Sequence, residues 1–123
     1  MKLGDTIVWC PDKGIDHLYI LISDPGNNGG KCVLVNLTES IHGKYSFILK
    51  KGDHEFIYKD SDVNFGDAIE TTVAKVEANI RLGQATPHKP MKLDVLRRIV
   101  NEAHTHAAFP KFLRKFIPPP GTL

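Results

Sequence analysis

The sequence predicts a mainly β protein with a helix at its C-terminal end. Two apolar runs, residues 18–23 and 32–37, are rich in β-branched and aliphatic residues, and a segment rich in Pro, Gly and Asn separates them. This pattern is typical of two antiparallel strands joined by a reversal. After Gly83 the apolar residues recur instead at helical spacing. We therefore expect a small antiparallel β-barrel or sandwich followed by one or two C-terminal helices.

Further strands are predicted on both sides of the two apolar runs. Residues 5–10 alternate weakly between apolar and polar side chains and end at a Pro-containing turn, which indicates a first strand. Short segments with β-branched or aromatic residues follow the third strand, and a turn at residues 50–54 lies among them. The strands predicted there cover residues 45–49, 56–58, 62–65 and 68–76.

The C-terminal third is predicted to be helical after a stiff connector at residues 86–90, which contains two prolines. A helix of about 14 residues is expected to begin near Met91, because apolar residues then recur at helical spacing. They are Leu93, Leu96, Ile99, Val100 and Ala103. A shorter helix is predicted over residues 109–117. Its apolar stripe, which we expect to dock on the barrel or across a dimer, is Phe109, Phe112, Leu113 and Phe116.

Size and composition fit a single domain. The chain has 123 residues, of which 41% are hydrophobic, which is enough for one modest core. We assign residues 1–83 to the barrel and residues 84–123 to a helical appendage of the same domain. No apolar run approaches the roughly 20 residues that span a bilayer, and no signal peptide is evident, so we expect a cytoplasmic protein without membrane contact. Cys10 and Cys32 are expected to be reduced thiols.

Charge is distributed unevenly along the chain. Residues 1–74 carry seven Lys against eleven acidic residues, a net charge of −4, whereas residues 75–123 carry nine Lys or Arg against three acidic residues, a net charge of +6. The basic part can attract nucleic acid or an acidic partner, or it can lie against the acidic part of the same chain.

Polar residues lie at the outer ends of the two apolar runs. His17 precedes the first run and Thr38 follows the second, so antiparallel pairing would bring them together at a small polar site. Imidazole titrates near neutral pH and can act as a base, an acid or a cation, and a threonine hydroxyl can hydrogen-bond a phosphate. The structural alternatives are an exposed histidine at a strand edge and a threonine that ends a strand.

A second polar cluster lies at residues 52–56, where a glycine turn presents two carboxylates and the imidazole of His54. Such a turn can supply a general acid or base, and it can equally be a polar loop without a function. No metal site is predicted, because His104 and His106 are two residues apart and point to different sides of a helix.

Four segments, taken in order, resemble the MazF/PemK (Kid) toxins. They are Gly4-Asp5-Thr6-Ile7-Val8-Trp9, which resembles the opening strand, residues 19–25 and 33–38, which resemble the next two strands, and residues 62–69, which resemble a later strand. Together with the last helix the resemblance covers roughly residues 4–107. It implies an SH3-like barrel, metal-independent endoribonuclease activity on single-stranded RNA, no cofactor, a homodimer and an antitoxin protein as partner.

The chain departs from these toxins where they carry an arginine followed by proline before the second strand. His17-Leu18 stands there, and no arginine precedes Arg81. Cleavage by a ribose 2′-hydroxyl needs a base, an acid and either a cation or strong donors for the charged phosphorane. We expect His17, Thr38 and His54 to be catalytic. The expected substrate-binding residues are Asp16, Ser40, Lys44, Asp53 and Ser61. The alternative is a non-catalytic SH3-like barrel that binds nucleic acid or protein.

Overall fold

The computed structural model describes residues 1–10, 15–39 and 46–123. The elements within these residues are β1 (Thr6–Trp9), β2 (His17–Leu21), β3 (Lys31–Glu39), β4 (Ile48–Leu49), β5 (Ser61–Thr72), α1 (Val73–Arg81), β6 (Ala85–His88) and α2 (Leu93–Ala103). The strands form one curled antiparallel sheet in the order β4-β5-β3-β2-β1-β6. The predicted mainly β fold with a C-terminal helix is therefore confirmed.

The hairpin formed by β2 and β3 lies at the centre of the sheet, as the two apolar runs predict. Tyr19 pairs with Asn36 and Leu21 with Leu34. The reversal contains a short 3-10 helix, Pro25–Asn27, whose first turn is capped by the side chain of Asp24. Because successive side chains of a strand point to opposite faces, β2 and β3 contribute to both faces of the sheet.

Both faces of the sheet are covered, each by a different helix. One face packs against α2 and the 3-10 helix Lys111–Phe116, with Leu18, Ile20 and Val35 among its buried residues. The other face packs against α1, with Leu34 among its buried residues. Burial of apolar area on two sides supplies the driving force that a small domain needs.

The helix α1 replaces part of a predicted strand, so the prediction of extended chain over residues 73–76 is wrong. Residues 62–65 and 68–72 belong instead to one strand, β5. Thr72 caps α1 through its side-chain oxygen, which accepts from the amide of Lys75 at 3.2 Å. Gly83, at φ 75°, ends the helix. The amide of Gly83 donates to the carbonyl of Ile80, and the amide of Gln84 donates to the carbonyl of Asn79.

Two other segments differ from the prediction. Residues 56–58 form a turn rather than a strand, because the Ile57 amide bonds the His54 carbonyl at 2.9 Å. The first three residues of the predicted connector belong to β6, which pairs with β1 from Thr6↔His88 to Trp9↔Ala85 at the edge of the sheet. A proline is tolerated in β6 because an edge strand does not need every amide.

The last helix and the C-terminal segment pack much as predicted. In α2, which has 11 residues, the predicted stripe is buried except for Leu93. The segment predicted as a second helix contains the 3-10 helix Lys111–Phe116. Leu113 of this helix is buried, as is Phe109 just before it, whereas the Phe112 side chain is 64% exposed. Of the described residues, no helix has the length and apolar character needed to cross a membrane.

Candidate functional site

The sheet face that carries α1 is apolar at one end and polar at the other. At the apolar end Cys32 and Leu34 pack against Val76 of α1, and burial raises the pKa of the Cys32 thiol. At the other end an open cleft of about 590 Å³ lies over the sheet. We call it the polar cleft; its polar side chains are His17, Tyr19, Asn36, Thr38, Asn64 and Asp67.

His17 and Thr38 line the same cleft, as their positions at the ends of the apolar runs predict. Tyr19 of β2 pairs with Asn36 of β3. Two residues further towards the outer end of the hairpin, the same register sets His17 opposite Thr38. Pairing of the strands thus places an imidazole and a hydroxyl on one wall, on strands whose backbone is fixed by the sheet.

One ring nitrogen of His17 is held by the backbone. Its Nδ1 lies 3.0 Å from the carbonyl oxygen of Leu37. Because a carbonyl only accepts, Nδ1 carries the hydrogen in this contact, and in the neutral ring Nε2 is then the acceptor. The hydrogen bond therefore fixes a tautomer in which Nε2 can take a proton from a ligand.

An irregularity in β5 forms the opposite wall. Leu34 pairs with Ile69 and Asn36 with Asn64, so two steps along β3 correspond to five steps along β5. The extra residues of β5 form a bulge, and the Asn64 amide donates to Asp67 Oδ2 across it at 2.8 Å. Bulges turn side chains away from the regular pleat, and here the bulge brings Asp67 to the cleft.

Among the described residues, the side-chain oxygen of Asn36 is a buried acceptor in the polar cleft that has no hydrogen-bond partner. Asn36 is only 6% exposed. Among the described residues, no donor forms a hydrogen bond with its Oδ1. An unsatisfied buried acceptor costs about 1–3 kcal/mol. Residues that carry such a cost concentrate at sites of function, where binding compensates for it.

The polar cleft carries little charge. Among its described lining residues only Asp67 has a formal charge at neutral pH when His17 is neutral, and none is Lys or Arg. Donors to a phosphate in this described lining are therefore neutral groups, among them the hydroxyl of Thr38 and the amide of Asn36, together with His17 in its protonated form. The missing early arginine is not replaced by another cation in this part of the lining.

The structure does not bring His54 to the polar cleft. His54 is 4% exposed, its Nε2 donates to the Lys89 carbonyl at 2.6 Å, and its Nδ1 accepts from the Phe56 amide at 3.0 Å. Both ring nitrogens are therefore used by the backbone, which is the arrangement of a structural histidine. The prediction that His54 lies at the site of His17 and Thr38 is corrected accordingly.

The predicted substrate-binding residues are also dispersed. Asp16 is exposed and directly precedes β2. Asp53 accepts from the Lys50 amide at 2.9 Å and lies 3.3 Å from Arg98 Nη2. Ser61 donates to the Lys59 carbonyl at 3.0 Å. Ser40 and Lys44 lie outside the described residues.

Four polar residues of the polar cleft were not predicted as site residues, namely Tyr19, Asn36, Asn64 and Asp67. Asn36 interrupts the second apolar run, which is a signal for a polar group on an otherwise buried face. The sequence Asn64-Phe65-Gly66-Asp67 places turn-forming residues inside a strand, which is typical of a bulge.

Cys10 and Cys32, both among the described residues, are not joined in a disulfide. Among the described residues, no three His, Cys, Asp or Glu side chains are grouped so that they could hold a metal ion. Comparison of the chain with models of known protein families gives no match, and comparison with curated proteins gives none either.

Proposed function

We propose that the protein is a metal-independent endoribonuclease of the MazF/PemK toxin type, an SH3-like barrel that cleaves single-stranded RNA in the polar cleft. The observation that supports this most directly is the His17–Leu37 hydrogen bond, which leaves Nε2 as an acceptor in the cleft that Thr38 also lines. A base held in one tautomer next to neutral donors is what attack by a 2′-hydroxyl requires.

The proposed reaction begins when His17 Nε2 takes the proton of a ribose 2′-hydroxyl. The 2′-oxygen attacks the adjacent phosphorus, and Thr38 and the amide of Asn36 donate hydrogen bonds to the phosphate oxygens as negative charge builds up on them. The bond from phosphorus to the 5′-oxygen then breaks, and the 5′-oxygen takes a proton from water. The hydroxide formed takes the proton from His17, which leaves a 2′,3′-cyclic phosphate, a 5′-hydroxyl and neutral His17.

The same proposal includes the partners that the resemblance implies. A toxin of this type acts in the cytoplasm, forms a homodimer and is held inactive by an antitoxin protein. Lys44 and Ser40 stay in the proposal as predicted substrate contacts. No cofactor takes part in the proposed reaction.

A cleavage assay without metal tests this proposal. The purified protein is incubated with mixed single-stranded RNA in the presence of EDTA, and the expected products end in a cyclic phosphate. His17→Asn keeps a donor for the Leu37 carbonyl and removes the nitrogen that accepts the proton, so cleavage is expected to fall by at least about 100-fold.

The matched control is His104→Gln, because His104 Nε2 also bonds a carbonyl, that of Pro118 at 2.6 Å, but lies outside the lining of the polar cleft. It is expected to cleave RNA at the rate of the unmodified protein. No cleavage by the unmodified protein, or equal cleavage by His17→Asn, would contradict the proposed activity.

The second candidate is a non-catalytic barrel that binds nucleic acid or protein. It is favoured by the absence of Lys and Arg from the described lining of the polar cleft. This candidate predicts that the protein binds RNA without cleaving it, and that Thr38→Ala changes only the affinity.

A further inference from the structure

The loop between β4 and β5 presents two aromatic side chains to solvent. Residues 50–60, which we call the aromatic loop, are held down by His54 and Ile57, both of which are buried. Phe56 lies between these two anchors and is 38% exposed, and Tyr58 directly follows Ile57 and is 72% exposed. Because large aromatic side chains bury most of their surface in a typical domain, two exposed rings on an anchored loop require an explanation.

The position of the Phe56 ring is fixed by its neighbours. It makes an edge contact with the His88 ring, with 5.7 Å between ring centroids, and the Phe56 amide is bonded to His54. The buried imidazole thus fixes the backbone that carries the ring. The loop is a built platform rather than a free segment, and the use of both His54 nitrogens by the backbone explains why this histidine is buried.

A cleft with excess positive charge lies beside the loop. Its volume is about 490 Å³, and its charged side chains are Lys51, Glu55, Lys89 and Lys92. We call it the lysine cleft. Lys89 Nζ lies 3.2 Å from Glu55, so these two charges offset one another. Lys92 hydrogen-bonds the carbonyl of Gly52. Of the described residues, no acidic side chain forms an ion pair with Lys51 or Lys92, so the described lining has an excess of two positive charges.

We propose that the aromatic loop and the lysine cleft bind single-stranded RNA, with Phe56 and Tyr58 stacking on bases and Lys51 and Lys92 contacting phosphates. Rings alternating with cations are the elements that sequence-tolerant proteins use to hold single strands. An acidic peptide would use the lysines but not the exposed rings, so the rings favour RNA. This inference rests on the proposed function in that it assigns a second binding site to the same substrate.

The aromatic loop is joined to the end of the strand that carries Thr38. Lys59, next to Tyr58, forms an ion pair with Glu39, the residue that follows Thr38 on β3. Because successive side chains of β3 alternate, Glu39 points away from the polar cleft, and a strand of RNA that reaches Thr38 continues around the end of β3 to Tyr58 and the lysine cleft. In this arrangement the polar cleft contains the reacting phosphate, and the platform holds nucleotides further along the strand and supplies positive charge that the described lining of the polar cleft lacks.

A binding measurement with a non-cleavable strand tests the platform. A labelled single strand of about 12 nucleotides, with 2′-deoxyribose throughout, cannot react and reports binding alone. Tyr58→Ala and Phe56→Ala are each expected to raise its Kd about fivefold or more. Phe112→Ala removes a ring of similar exposure on the C-terminal 3-10 helix and is expected to leave the Kd unchanged.

The salt dependence of the same binding tests the lysines. The binding constant K falls as salt is added, so log K against log salt has a negative slope. Lys51→Ala and Lys92→Ala are each expected to make this slope less negative by about 0.7, the value for one phosphate contact on a single strand. Lys75→Ala, at an exposed position of α1, is the control and should leave the slope unchanged.

Failure of the platform and failure of the nuclease are distinguishable. If His17→Asn binds the strand normally while Tyr58→Ala does not, the platform is supported, whether or not the protein cleaves RNA. If the protein cleaves RNA but Tyr58→Ala and Phe56→Ala bind the strand as the unmodified protein does, the platform is overturned and the nuclease stands. Displacement of the strand by a glutamate peptide, with no effect of either ring variant, would indicate an acidic partner and also overturn the inference.

Discussion

His17 and His54 show how two regions of the protein use the same side chain differently. Each follows an aspartate in the sequence, and each hydrogen-bonds a backbone carbonyl. Among the described residues, His17 at the polar cleft is held through Nδ1 alone, whereas His54 in the aromatic loop is held through both nitrogens. A histidine with one nitrogen fixed can exchange a proton with a ligand, and one with both nitrogens fixed holds a loop in place.

The largest expected effect is the loss of stability when His54 is removed from the aromatic loop. His54→Ala removes a buried ring and leaves the Phe56 amide without its acceptor, so the free energy of unfolding is expected to fall by about 3 kcal/mol. Urea denaturation, followed by the fluorescence of the buried Trp9, measures the change. The matched variant His17→Asn, which keeps a donor for Leu37, is expected to cost under about 1 kcal/mol. Equal losses in the two variants would mean that the histidines have the same structural role.

A smaller effect of opposite sign is expected at the polar cleft. Asn36→Val removes the buried acceptor that has no donor among the described residues, so it is expected to raise the free energy of unfolding by about 1 kcal/mol. Cleavage of RNA by this variant is expected to decrease, because the donor to the phosphate is lost with the amide. A gain in stability with loss of activity is typical of residues kept for function.

Asn64→Val is the matched control for this experiment. Asn64 lines the same cleft, but its amide donates to Asp67 at 2.8 Å. Replacing it therefore removes a satisfied hydrogen bond and is expected to lower stability. If Asn36→Val is destabilising to the same extent, the acceptor of Asn36 has a partner in solution and its assignment to the site is wrong.

The sequence predicts the parts of the fold that have a simple period. The alternating and apolar runs of β2 and β3 and the helical spacing in α2 are each set mainly by burial, and burial is visible in the hydrophobic pattern. The same reasoning places His17 and Thr38 together, because an antiparallel hairpin brings its outer ends into register.

The helix α1 shows why the pattern is not sufficient elsewhere. Its β-branched residues favour a strand, yet Val73, Val76 and Ile80 follow a helical spacing, and Thr72 is a suitable N-cap. The uncovered sheet face must be buried by some element, and α1 does this. Here the need to bury the face overrides the local preference for a strand.

The candidate site is only partly predictable for a related reason. Asn64 and Asp67 come together through a bulge, and His54 is removed from the site by contacts with Lys89, which is 35 residues away in the chain. Both outcomes depend on pairing between distant segments. A local pattern shows that an imidazole is present but not which of its nitrogens the folded backbone will use.

The smallest expected effect concerns the ion pair that joins the two regions. A hydrogen bond from Lys59 holds the pKa of the Glu39 carboxyl below its usual 4.5. A lowered pKa contributes stability at pH values above the pKa of the unfolded state, and this contribution is lost as the pH falls through the pKa of the folded state.

Because the pair is exposed, Lys59→Ala should leave the urea midpoint at neutral pH indistinguishable from that of the unmodified protein. The carboxyl carbon of Glu39, followed by NMR, should nevertheless titrate closer to 4.5 in this variant. Lys50→Ala, which removes the ion pair with Asp60 instead, should leave the Glu39 titration unchanged. An unchanged titration in Lys59→Ala would show that the aromatic loop is not joined to the end of β3 in solution, and Tyr58 would then have no fixed position relative to Thr38.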